Sequence, residues 1–94
     1  MQSYLVETYL PGSLEVDACA AGGSLRDAAQ AMTRESTPVR YIRTTLLPGD
    51  ETCFHVVEAD SKQTVEELTR RVGLGHARVV RAIELSRARR PRAR

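Results

Sequence analysis

Val39-Arg40-Tyr41-Ile42-Arg43-Thr44-Thr45-Leu46-Leu47, then Pro48-Gly49-Asp50-Glu51, then Thr52-Cys53-Phe54-His55-Val56-Val57-Glu58-Ala59: this stretch decides the fold. Its arms are rich in β-branched and aromatic residues, and the four residues between them are turn formers. It reads as a β-hairpin with strands at 39–47 and 52–59. Just upstream, Ser36-Thr37-Pro38 closes the preceding element, because a residue before proline avoids the α region. Before that, Leu25, Ala28, Ala29 and Met32 recur at i, i+3, i+4 and i+7. They predict a helix over 24–35, with Ser24 as N-cap and Asp27 near the positive helix end. Gly22-Gly23 is expected to interrupt any helical turn begun between Leu14 and Ala21. Further upstream, Tyr4 to Leu10 is strand-like and ends at the turn signal Pro11-Gly12.

Downstream of the hairpin, Asp60 or Ser61 caps a second helix, and Gln63 can complete a capping box with Asp60. Val65, Leu68 and Val72 form its apolar stripe, and Gly73 suits the C-terminal cap. Arg78 to Leu85 reads as the last strand. The order β-α-β-β-α-β predicts an α+β, ferredoxin-like sandwich with a four-stranded antiparallel sheet in the order 4-1-3-2. Both helices should cover one face and leave the other bare. Residues 1–85 are the expected domain and 86–94 a basic, disordered tail.

The chain's 94 residues suit one domain, and a chain this short has little core to spare. An apolar sheet face left over would favour a homodimer, with the two open faces enclosing a barrel-like cleft. The net charge of +2 divides unevenly: residues 1–85 hold nine basic against twelve acidic residues, −3, while the last nine hold five arginines and no acid, +5. The basic character belongs to the tail, so nucleic-acid binding by a folded basic surface is not expected. No apolar run reaches membrane-spanning length and the N-terminus has no signal pattern, so the expectation is a cytoplasmic protein with no membrane partner. Cys19 and Cys53 lack metal or redox spacing; Cys19 is expected as a small buried residue and no disulfide is expected.

Strand alternation divides each strand between two faces. Giving the more uniformly apolar set of each strand to the core places Tyr4, Val6, Thr8, Ile42, Thr44, Leu46, Phe54, Val56, Val80 and Ala82 under the helices. The open face then receives Glu7, Tyr9, Tyr41, Arg43, Cys53, His55 and Arg81 above Leu5, Val57, Val79 and Ile83. A one-residue slip in any strand exchanges its sets. Apolar floors with a few converging polar groups are how small-molecule pockets are built. Glu7 and His55, on adjacent strands, form the sharpest pair. They are candidates for acid–base work, with Tyr9, Tyr41, Arg43 and Arg81 orienting a substrate. With Cys53 or His76 they are candidates for holding a divalent metal. The plain alternative is a Glu7–Arg43 or Glu7–Arg81 salt bridge, with His55 packing at a dimer interface. His76 itself reads as a solvated loop residue. The glycine pairs lack the spacing of phosphate loops.

Tyr4-Leu5-Val6-Glu7, Leu10-Pro11-Gly12, Thr37-Pro38-Val39-Arg40-Tyr41-Ile42, Asp50-Glu51-Thr52-Cys53-Phe54, Glu58-Ala59 and Val72-Gly73-Leu74 together resemble the small nickel-binding-protein family, domain of unknown function 4242. The resemblance covers about residues 3–85 and rests most on Asp50 to Phe54. It implies a ferredoxin-like domain, usually a dimer, with nickel, bound by one characterised member, or another divalent metal as the expected cofactor. The chain departs from the family by placing Gly22-Gly23 where its members tend to run a continuous, Ala-rich helix.

Three functions follow: a small dimeric protein binding nickel, another divalent metal or a small ligand over the open sheet face; a cofactor-independent cyclase, isomerase or monooxygenase using Glu7 and His55, by fold-level analogy; and a non-catalytic interaction module whose Arg tail reaches an acidic partner.

Overall fold

The hairpin anchors the sheet. In the computed structural model, which describes residues 1–12, 15–83 and 85, β1 spans Gln2–Tyr9, α1 Glu15–Arg34, β2 Val39–Leu47, β3 Thr52–Ala59, α2 Lys62–Arg71 and β4 Arg78–Ala82. All strand pairs are antiparallel, and the order across the sheet is β2-β3-β1-β4. A 3-10 turn, Pro48–Asp50, links β2 to β3. The expected tail, 86–94, lies outside the described residues. The last strand is shorter than expected, ending at Ala82 rather than Leu85.

Both helices lie against one face. Leu25, Ala29 and Met32 from α1 and Val65 and Leu68 from α2 pack with Tyr4, Val6, Val39, Val57, Ala59 and Val79 in a single core. Each of these side chains is at most 8% exposed. The register explains the set: Tyr4 opposes Val57, Val6 opposes both His55 and Val79, and Val39 opposes Ala59. Directly opposed residues share a face.

The first helix is longer than its sequence suggests. It is continuous from Glu15 and runs through Gly22-Gly23, so Ser24 lies inside it rather than at its cap. Helix-interior glycines cost about 1 kcal/mol each relative to alanine. Packing offsets that cost at Gly22, which is buried against β2: a Cβ there would stand 2.7 Å from both Thr44 Oγ1 and Tyr41 Oη. The glycine lets the helix axis approach the strand.

Both helices end in a paired reverse bond. In α2, Leu74 N–H donates to Thr69 O and Gly73 N–H to Arg70 O, with Gly73 at φ 79°. In α1, Thr37 N–H donates to Met32 O and Ser36 N–H to Thr33 O, with Ser36 carrying the left-handed φ of 74°. Ser61, not Asp60, caps α2, its Oγ accepting from Thr64 N–H at 3.2 Å.

β2 is irregular. Tyr41 opposes Val57 but Arg43 opposes Val56, which leaves Ile42 as the extra residue of a β-bulge. A bulge reverses the alternation beyond it. Tyr41 and Thr44, three residues apart, therefore both face the helices, while Arg43 faces away.

Candidate functional site

The open face is built from Leu5, Glu7 and Tyr9 on β1, Arg43 and Thr45 on β2, Phe54 and Val56 on β3, and Arg78 and Val80 on β4. Apolar Leu5, Phe54, Val56 and Val80 form its centre. Polar pairs flank it: Arg78 Nη1 lies 3.4 Å from Glu7 Oε1, and Arg40 Nη2 lies 3.2 Å from Glu58 Oε1. Tyr9 Oη donates to Glu51 Oε1 at 3.2 Å, and Gly12 N–H donates to Glu51 Oε2 at 2.7 Å. The Glu51 carboxylate raises the Tyr9 pKa by disfavouring a second negative charge.

Four expected residues lie elsewhere. Cys53 and His55 sit on the helix-covered face, both 0% exposed. The expected phase of β3 is wrong by one residue: Glu7 opposes Phe54, while His55 opposes Val6. The sheet itself stands between Glu7 and His55, so the expected acid–base pair is not assembled. Tyr41 also faces the helices, because the bulge at Ile42 separates it from Arg43. Arg81 opposes Tyr4, placing it on the helix side at the β4 edge, where it is exposed. Cys19 is exposed rather than buried, and both thiols are free. Burial raises the Cys53 pKa, and the Cys19 thiol adds a smaller push.

His55 is held by a chain of hydroxyls. Tyr41 Oη and Thr44 Oγ1 are 2.6 Å apart, and Thr44 Oγ1 is 2.7 Å from His55 Nδ1. Burial lowers the His55 pKa, so the ring is neutral at pH 7. Its Nε2, like Thr8 Oγ1, is buried without a partner. The outer end of the chain opens on a cavity of about 730 Å³ between α1 and β2, lined among others by Ala18, Cys19, Gly22, Arg26, Tyr41 and Thr44. The bulge and the Tyr41–Thr44–His55 chain it creates escape sequence reading. The one signal is the Gly22-Gly23 pair, which marks a place where a helix tolerates glycine for closeness.

A metal would meet an incomplete donor set in one subunit. Among the described residues, no three His, Cys, Asp or Glu side chains are placed to hold an ion. His55 offers one free nitrogen in the core. On the surface, Glu7 and His76 border one hollow of about 360 Å³, together with Tyr9 and Arg78. A carboxylate and an imidazole are two suitable donors, and nickel(II) requires more than two. Nickel therefore does not fit the residues of a single chain.

Among the described residues, no helix is long and apolar enough to cross a membrane. No curated protein matches the chain, and no solved structure does. A family model described as nickel responsive protein SCO4226-like matches residues 4–81. That span includes all four strands' paired cores, both helices, the open face and the α1–β2 cavity, and on this match the chain belongs to the SCO4226-like nickel responsive protein family.

Proposed function

We propose that the protein is a small binding protein of ferredoxin-like plan that works as a homodimer and takes up a divalent metal of the nickel type. Family membership supports the metal. The observation that carries the dimer is the open face, where the chain's one phenylalanine, Phe54, lies beside Leu5, Val56 and Val80 outside the helix-covered core. Apolar side chains gathered on an uncovered sheet face mark an interaction surface. The Glu7–Arg78 and Arg40–Glu58 pairs give it the polar rim of an interface.

Pairing also answers the donor shortage. Glu7 and His76 of each copy would together supply two carboxylates and two imidazoles, a donor set that suits nickel(II). The neighbouring Arg78 charge weakens an empty site and would have to yield the Glu7 carboxylate to the metal.

Titration calorimetry with nickel chloride tests the metal. The expected result is saturable binding that weakens at least about tenfold in Glu7→Gln and in His76→Ala. No saturable binding by the wild-type protein, or binding untouched by both substitutions, overturns it. Sedimentation tests the dimer separately: Phe54→Arg should sediment as a folded monomer where the wild type is a dimer.

A further inference from the structure

We infer that the cavity between α1 and β2 is a second site, for a small organic carboxylate with an apolar body, received by the Tyr41 hydroxyl and the Arg26 guanidinium. This site is separate from Glu7 and His76 and does not depend on the dimer.

The direction of the hydroxyl chain carries the inference. An arrangement in which Thr44 accepts from both Tyr41 and His55 leaves its own hydroxyl proton with no acceptor there; two others let Thr44 both accept and donate along the chain. In one, Tyr41 donates to Thr44, Thr44 donates to Nδ1, and the neutral ring keeps its proton on Nε2. That leaves a buried N–H with no acceptor. In the other, Nδ1–H donates to Thr44 Oγ1 and Thr44 donates to Tyr41 Oη. Nε2 is then a bare lone pair. Orphaned buried N–H groups are rarer than orphaned acceptors, which favours the second arrangement. Its consequence is at the outer end: Tyr41 Oη already accepts from Thr44, and its own proton is free to point into the cavity. Burial lowers the His55 pKa and holds the ring in the neutral form this arrangement needs.

The surroundings select the ligand. The cavity, at about 730 Å³, has room for a small molecule, and Ala18, Ile42, Leu46 and Pro48 supply apolar walls. Gly22 keeps the helix side open, since a Cβ there would fall 2.7 Å from Tyr41 Oη. Arg26, one turn further along α1, lines the same cavity. Its nearest acid, Asp27, is 3.7 Å away with both side chains exposed, so the guanidinium remains available. Glu15, also in the lining, is about 16 Å back along the helix from Arg26 by helical rise. Arg43 also borders the cavity, so two guanidinium groups against the one carboxylate of Glu15 favour an anion there.

Two-dimensional amide NMR of the full chain, titrated with benzoate and separately with hexanoate and neutral benzamide, tests the site. The expected result is a set of saturable shifts confined to residues 18–26 and 41–46 with the carboxylates, and none with benzamide. Tyr41→Phe, which keeps the ring, should weaken benzoate binding about tenfold, and Arg26→Gln, on an exposed side chain that cannot unfold the domain, should do likewise. A long-range nitrogen–proton spectrum of the His55 ring should show Nδ1 protonated and Nε2 bare. No shifts with either carboxylate, equal shifts with benzamide, wild-type affinity in Arg26→Gln, or a proton on Nε2 would overturn the proposal.

Discussion

The two faces of the sheet invert the usual expectation of polarity. The covered face carries His55, Thr8 and Thr44 among its aliphatic core, whereas the face without helices centres on half-buried Phe54 and Leu5 and on Val56, which is 5% exposed. The difference is one of satisfaction. A polar group survives under the helices when it finds a partner, as His55 Nδ1 finds Thr44. Apolar groups on the other face would gain further cover from the second copy proposed above.

The largest expected effect breaks that comparison if it fails. His55→Ala should destabilise the fold by about 2–4 kcal/mol in denaturant unfolding, since it opens a cavity and removes one of the two partners of the Thr44 hydroxyl. Glu7→Gln, on the other face, removes only a half-exposed ion pair and should cost under about 0.5 kcal/mol. Equal costs would mean that the two positions share an environment.

Acidification probes the covered face without mutation. Burial lowers the folded-state pKa of His55 below its ordinary 6.5. The unfolded chain therefore takes up a proton near that pH while the folded ring does not. The His55 contribution is fully present above 6.5 and is lost as pH falls from there toward the folded value. The slope from this one group is at most about 1.4 kcal/mol per pH unit. Unfolding curves collected below 6.5 should show it, and His55→Asn should remove it.

The adjacent glycines of α1 give a sharper contrast with opposite signs. Gly22→Ala gains helix propensity but forces Thr44 and Tyr41 aside, for a net loss of about 1–2 kcal/mol. Gly23→Ala meets nothing nearer than Arg26 Nη2 at 3.9 Å and should stabilise by up to about 1 kcal/mol. Thermal melts of the two variants decide it. At the α1 terminus, Ser36→Gly relieves a left-handed residue and should stabilise by about 0.5–1 kcal/mol.

The element order was readable because the hairpin, the Leu25 to Met32 stripe and the turn at Pro11-Gly12 each carry a local physical signal. The faces were not. In β3 every residue from Cys53 to Val57 is either apolar or ambivalent, so alternation has little contrast. Weighting Phe54 as core put the strand one residue out of phase. In β2 the bulge at Ile42 is a tertiary adjustment with no composition of its own, and it alone sends Tyr41 and Arg43 to opposite sides. The glycine pair was read by intrinsic propensity, and packing against Thr44 overrode it. Glu7 lies on the open face as expected, and of the metal partners the sequence offers it, only His76 borders the same hollow.

The chain has two histidines, one deep under the helices and one on the surface beside Glu7. That makes a single spectrum decisive for the proposed metal site. In a nickel titration followed by histidine-ring NMR, the account predicts that the His76 resonances shift or broaden first, at substoichiometric metal, while His55 keeps its neutral tautomer and its bond to Thr44. A perturbation that begins at His55 and leaves His76 unchanged would contradict it.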